Sequence, residues 1–308
     1  MKKAIIGYIQ ICKNQGIKKA LESFYLYYYT KFKIEKIQKK QEFSVITHGC
    51  KMDVNPNDEG LSTELLVFGH HEPHTTSFVS KYIVKDMVCI DVGANIGYYS
   101  TLYSKNVEYN GKVISIEPSP INFEFLKKNL EKQKMDNFIC YNIAAGEKEG
   151  QVKFCLDSRA NKCFIITGKE QLPPNYEIIN VPIRTIDKIV TDEKLEKIDF
   201  IKIDVEGYEW QAIQGAIESI KNFKPTIQIE IHFPKIGLTK TLEIFKFFEN
   251  QKYEIIYHSN KFLKSFQKIN GQKSQLNLVK LINYLPNHDP EMSFKFILEN
   301  KSKVTNNE

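Results

Sequence analysis

The chain has 308 residues, 42% hydrophobic and 12% aromatic, which is ample for one large core with additions at its edges. Its net charge of +6 is unevenly held: residues 1–40 carry ten Lys against two Glu, residues 259–308 carry eight Lys against four acids, and the middle is acidic. Basic ends on an acidic body exclude a dedicated nucleic-acid binder, whose positive field would cover its working surface, and no apolar run reaches the ~20 residues of a transmembrane helix.

The opening, MKKAIIGYIQICKNQ, has the lysines and short apolar run of a signal peptide but no small-residue cleavage site. It is therefore expected to be retained, with a cytoplasmic location. Six scattered cysteines without a CxxC pair suggest neither a zinc site nor a disulfide framework and fit a reducing compartment. Apolar positions Ile5, Tyr8, Ile9, Cys12, Ile17, Leu21 and Phe24 predict a helix over residues 4–40, running into SFYLYYYTKFK. This basic, aromatic extension, residues 1–50, either packs on its own body or docks peripherally on a membrane surface. A β-rich lead-in over 42–50 and a turn-dense loop over 51–60 follow. His70, His71 and His74 then precede a predicted helix. Adjacent histidines cannot point the same way on a strand, and no ligand set accompanies them, so a loop at a substrate mouth is the better reading.

From residue 87 strands and helices alternate: MVCIDVG, helix 97–106, KVISIE, helix 120–134, NFICYNIA, then DFIKIDVEG, helix 208–221, PTIQIEIH and helix 239–251. Continuously apolar, β-branched strands separated by helices predict an α/β fold with a mostly parallel sheet covered on both faces. The predicted organisation is an extension (1–50), a ligand-binding α/β domain (51–258) and a Lys-rich C-terminal segment (259–308) that ends the sheet. Residues 150–186 read as a β insertion or lid, where Ser158, Arg159 and Asn161 are candidates for contacts to an acceptor.

Ligands of such sheets lie at the carboxyl ends of the strands, and CIDVGANIGYYS sits at the first of them. Asp91 ends the strand, Gly93 and Gly97 bracket the turn, and Asn95 stands where a left-handed backbone is needed. Glu117 closes the next strand, placed to accept both hydroxyls of a ribose. A dinucleotide would bring a pyrophosphate against the acid at 91, which repels it. S-adenosylmethionine brings a sulfonium, an ammonium and a ribose, so both acids gain a partner.

The ordered set IDVGANIGYYS, ISIEPSPINFEFLKKNL, IRTIDKI, IDFIKIDVEGYEWQAIQGA and IQIEIH resembles the FkbM family of S-adenosylmethionine-dependent methyltransferases, over about residues 60–235. The resemblance implies a class I methyltransferase (Rossmann-like) seven-stranded sheet and methyl transfer to a hydroxyl, often of a sugar, glycan or related natural product. It also implies that Asp91, Gly93, Asn95 and Gly97 line the methionine part, that Glu117 holds the ribose, and that the turn from Asn142 to Ala145 meets the adenine.

Transfer from a sulfonium is an in-line displacement in which orientation is the main task, helped by a general base at a strand end. In IKIDVEGYE, alternation puts Lys202, Asp204 and Glu206 on one face, with a carboxylate contact expected for the lysine. Asp204 is the first candidate for the methionine amine or the acceptor, with Glu206 and Glu209 behind it. His232, ending IQIEIH, is the candidate base. Asp204 and Glu230 are also placed to hold Mg²⁺, but the second strand end lacks an Asp-Asn pair and no metal is expected. The alternatives are a nucleic-acid or protein methyltransferase and a non-catalytic scaffold of this fold. LPPNYE, the one look-alike of an adenine-methylating motif, lies well before the fourth strand, where DVEG stands instead.

Overall fold

The computed structural model describes residues 43–157, 163–168, 172, 176–258, 277–287 and 293–304, together with Tyr25, Tyr29 and Phe32, which are helical. The rest of the predicted N-terminal helix and the candidate contacts Ser158, Arg159 and Asn161 lie outside the described residues. The chain divides into two compact units, Met1–His71 and Glu72–Glu308. In the first, Ser44–Thr47 and Cys50–Asp53 form an antiparallel hairpin, with Thr47 opposite Cys50, so the boundary expected at 50/51 cuts a paired ribbon. The helix Leu61–Phe68 follows, its first turn held by Asp58, whose carboxylate accepts from the N–H groups of Gly60 at 2.7 Å and Ser62 at 2.8 Å.

In the second unit, numbered from its own start, the large sheet holds seven strands: β1 Val88–Val92, β2 Lys112–Ile116, β3 Phe138–Tyr141, β4 Phe200–Ile203, β5 Thr226–Ile231, β6 Tyr253–His258 and β7 Phe294–Asn300. Their order is β6-β7-β5-β4-β1-β2-β3, parallel except for β7, which runs antiparallel to both neighbours. This is the predicted class I methyltransferase sheet. Among the described residues its helices include α1 Pro73–Tyr82, α2 Tyr98–Val107, α3 Pro120–Glu131, α4 Ile186–Asp192, α5 Glu209–Gln214, α6 Ile217–Phe223, α7 Phe233–Asn250 and α8 Leu278–Tyr284. A smaller four-stranded sheet takes up the predicted insertion, with Gly150–Asp157 paired along Tyr176–Arg184.

Period-two alternation sorts the central strands. Ile90, Val92, Ile201, Ile203, Ile227 and Ile229 join one buried core with Ile189, Ala212, Ile220, Ile244 and Phe248 from the helices. The opposite face carries Asp91, Ser115, Lys202 and Gln228 in one lateral row across β2, β1, β4 and β5. Helix α2 covers it with Tyr103, whose ring meets Phe200 edge-on at 5.6 Å.

Two helices depart from their predicted spans. The one expected over 208–221 is two, because Gly215 passes so close to the small sheet that a Cβ there would stand 2.0 Å from the Gly146 carbonyl oxygen. Helix α7 starts earlier than 239 and is interrupted at Gly237, where φ is 74°.

The C-terminal strand β7 completes the core: Phe296 is fully buried against Phe245, with ring centroids 5.6 Å apart, and Phe294 at 6.0 Å. Phe296→Ala is therefore expected to destabilise the fold by about 3–5 kcal/mol, measured by urea unfolding; a loss below about 1 kcal/mol would mean that β7 is not integral to the sheet.

Candidate active site

The carboxyl ends of β1, β2, β4 and β5 converge on one group of charged side chains. Asp91 is fully buried; its Oδ2 accepts from Ser100 Oγ at 2.6 Å, and its Oδ1 lies 3.3 Å from Lys202 Nζ. Lys202, its lateral partner on β4, also donates to the Gly93 carbonyl at 3.3 Å, pairs with Asp204 Oδ2 at 3.4 Å, and lies 5.5 Å from the centre of the Tyr99 ring. Burial alone would lower the lysine's pKa, but Asp91 and Asp204 outweigh it and hold the ammonium charged. The carboxylate contact expected for Lys202 is thus made twice.

The loop after β1 has the backbone its sequence requires. Gly93 has a φ of 78°, and a Cβ there would stand 1.9 Å from the Asp204 carbonyl oxygen, so the end of β4 can cross only a glycine. Asn95 adopts the expected left-handed conformation, with a φ of 52°. Its N–H donates to Glu117 Oε2 at 2.8 Å and that of Ser119 to Oε1 at 2.9 Å, which fixes the carboxylate between two loops. Burial raises Glu117 to about 7 against the pull of those two N–H groups. Each oxygen keeps lone pairs for a hydroxyl donor. Gly97 caps α2 with a φ of 89°.

Asn142 and Ala145 lie beside the Glu117 loop and at the start of the small sheet. The Asn142 amide donates to the Glu117 and Pro118 carbonyls at 2.9 and 3.2 Å, so it braces the Glu117 loop. Ala144–Ala145 form a short strand beside Ile183–Arg184, and the Ala145 side chain is packed in the main core.

At the far side β4 ends at Ile203, so the alternation expected through residue 206 stops sooner. Glu206 takes a left-handed backbone, with a φ of 53°, and its Oε2 pairs with Lys235 and lies 3.5 Å from His232 Nε2. His232 Nδ1 donates to Glu209 Oε1 at 2.6 Å, while Glu230 and Asp204 stand 3.8 and 4.0 Å from Nε2. Burial disfavours the charged ring, but hydrogen bonds to Glu206 and Glu209 overcome this and push it up to about 11. The neutral ring that a general base needs is thus opposed by its surroundings. Burial raises Glu230, with repulsion from Asp204 adding to it.

Three members of this group escaped the sequence reading. Lys295 lies opposite Glu230 in the β5–β7 register and pairs with its Oε2 at 2.7 Å and with Glu72. Tyr99 donates to Glu72 Oε2 at 2.9 Å. Lys235 closes the Glu206 turn. The lysine inside the apolar run FKFILE is the same kind of clue that marks Lys202, and it would have found Lys295. His74 lines an open groove of about 430 Å³ with Phe78, Lys81, Tyr82 and Tyr257. Among the described residues, no helix is long and apolar enough to cross a membrane.

Residues 91–255 match the family model described as the methyltransferase FkbM domain. Among curated proteins, the chain is 23% identical over 203 residues to Methyltransferase 1 of Beauveria bassiana, covering 59% of this chain and 75% of that protein. It is 25% identical over 150 residues to the hexuronic acid methyltransferase AglP of Haloferax volcanii, covering 48% and 57%. Among solved structures, the FkbM methyltransferase of Methylobacillus flagellatus is 23% identical with a TM-score of 0.38, covering 53% of this chain and 37% of that one.

The charge buried at Glu117 has a testable sign. A carboxyl whose folded pKa is raised is free of penalty below its unfolded value and loses stability as pH rises towards the folded one. Wild type should therefore lose up to about 3 kcal/mol relative to Glu117→Gln between pH 4.5 and 8, measured by urea unfolding across that range. Parallel pH profiles would show that the carboxylate is already ionised at the acid end.

Proposed function

Because this chain belongs to the FkbM methyltransferase family, we propose that it moves a methyl group from S-adenosylmethionine to a hydroxyl oxygen of a sugar, glycan or related natural product. Methyltransferase activity goes with the family, and methyltransferases of this fold generally use S-adenosylmethionine; the proposal lies in that cofactor for this chain and in the acceptor. The observation that carries it is the Gly93–Gly97 loop with two buried carboxylates, Asp91 and Glu117, on either side of it. A cradle that admits no Cβ at Gly93 and carries acids instead of phosphate-binding cations fits a cationic nucleoside and disfavours a dinucleotide.

S-adenosylmethionine supplies an activated methyl on a sulfonium. Glu117 would take the ribose hydroxyls, the Gly93–Gly97 backbone would lie along the methionine part, and Asp91 with Lys202 would set the shape and charge of that floor. Asp204 and Glu206, at the end of β4, face the acceptor side. His232, with Nδ1 committed to Glu209 and its other edge turned to carboxylates, shapes that end of the pocket; the base role expected for it does not suit this setting. The acceptor is proposed as a carbohydrate because one relative is a hexuronic acid methyltransferase; contact with a specific nucleic acid is not proposed.

Calorimetric titration with S-adenosylmethionine, beside NAD as control, tests the cofactor. Micromolar binding of the former alone is expected. Hydrogen bonds to charged groups are worth about 1.5–3 kcal/mol, so Glu117→Gln should weaken binding about tenfold to hundredfold. Binding of NAD, or indifference to the substitution, would refute the cofactor assignment. Methyl transfer to hexuronic acids and neutral sugars, read with radiolabelled donor, then tests the acceptor class against RNA and protein.

A further inference from the structure

We propose that the open groove along α1 binds a sugar unit that carries a carboxylate. His74, Ser77, Phe78, Lys81 and Tyr82 are spaced i, i+3, i+4, i+7 and i+8, so they form one stripe of the helix, and Tyr257 of β6 joins them around a space of about 430 Å³. The opposite stripe, with Thr75, Thr76 and Val79, is buried. An outward stripe of a surface helix is ordinarily polar throughout; this one presents two rings beside a third.

The rings make a platform. Phe78 and Tyr82 lie within 15° of parallel with centroids 6.2 Å apart, and Tyr257 stands 4.8 Å from Phe78, tilted by 33°. The Tyr82 hydroxyl is already committed, donating to Glu299 at 2.7 Å and meeting Thr226 Oγ1 at 2.6 Å, while that of Tyr257 lies 3.4 Å from Thr75 Oγ1. These rings therefore have faces to offer more than hydroxyls. Charge and composition then select the occupant. No residue of the lining is acidic and none is aliphatic; Lys81 and His74 are both exposed, and neither forms an ion pair with a described residue. Ring faces accept the C–H face of a sugar, and an ammonium with the Ser77 hydroxyl and an imidazole beside it suits a carboxylate and its neighbouring hydroxyls. An amphipathic helix would ask for aliphatic anchors, and a nucleic acid, whose affinity comes from several phosphate contacts, would ask for more than one lysine.

The place of the groove gives it a role. Glu72, immediately before α1, accepts from the Tyr99 hydroxyl and pairs with Lys295, which ties the first turn of the helix to the charged group at the strand ends. Tyr257 lies opposite Ile297, two residues along β7 from Lys295. From His74 to Tyr82 the helix extends about 12 Å, the reach of a short oligosaccharide. On the methyltransferase reading, on which this role rests, the groove holds an acidic unit of the acceptor apart from the hydroxyl that is methylated, and so selects among acceptors.

The test is saturation-transfer NMR on the full-length protein without S-adenosylmethionine, with tetragalacturonate as probe and maltotetraose as its neutral counterpart. Saturation of the protein's ring protons is expected to pass to the C–H protons of tetragalacturonate, with Lys81→Glu weakening its binding about tenfold or more, the order of one hydrogen bond to a charged group, and Phe78→Ala abolishing the transfer. Absence of transfer from the wild type, an equal response from maltotetraose, or binding unchanged in Lys81→Glu would overturn the proposal. So would tighter binding of octauridylate at the same residues, which would make the groove a nucleic-acid site. Should Phe78→Ala lose its native circular dichroism, Lys81→Glu, an exposed side chain, decides alone. S-adenosylmethionine titrated into the same samples separates the two readings: its binding without a sugar response refutes the groove alone, and a sugar response without its binding upholds the groove and removes the acceptor role.

Discussion

The charge of Lys202 inside the sheet governs the arrangement around it. An ammonium at the end of a central strand is tolerable only when paired and hydrogen-bonded, and its partners come from different parts of the chain: Asp91 from β1, Asp204 from its own strand end, and the Gly93 carbonyl from the loop between them. Meeting that demand draws the end of β4 across the loop after β1, which is why Gly93 has no room for a side chain. The buried lysine therefore fixes where the ligand-bearing loop runs, and the rest of the pocket is built outward from it.

Two regions of unlike character result. On the β1 and β2 side, Glu117 is held by backbone N–H groups and Asp91 by a hydroxyl and the Lys202 ammonium, and the geometry is set by left-handed turns at Gly93, Asn95 and Gly97. On the β4 and β5 side, acids are held by side-chain cations: Lys202 pairs with Asp204, Lys235 with Glu206 and Lys295 with Glu230. The first region suits a ligand read by shape and hydrogen bonds. The second suits a reacting group whose charge must be controlled. Placing both at the ends of adjacent parallel strands brings them side by side with no long loop between.

Much of this was legible in the sequence where local chemistry dictates structure. The strand alternation, the left-handed Asn95, the acid closing β2 and the pairing of Lys202 all follow from residue type and spacing. What was not legible depended on contacts distant along the chain. The helix break falls at Gly215, where the Gly146 backbone passes close by, Ala145 lies beside Arg184 in the small sheet, and β4 ends at Ile203 before Glu206 turns to meet Lys235. The setting of His232 is the clearest case: a histidine at a strand end reads as a base, and only the convergence of Glu206, Glu209, Glu230 and Asp204 shows how strongly its charge is biased.

The position of β7 bears on the order in which the protein is made. It lies between β5 and β6, antiparallel to both, yet among the described strands of this sheet it is the last in chain order and so the last of them to leave the ribosome. Until residue 300 has emerged, β5 and β6 are neighbours without a shared ladder, each with an open edge of the kind that recruits foreign strands. Glu230 meanwhile faces that gap without Lys295. At about 5–20 residues per second of synthesis, the interval from β5 to the end of β7 is several seconds, in which a nascent chain carries its glycine loop but not its finished reaction end.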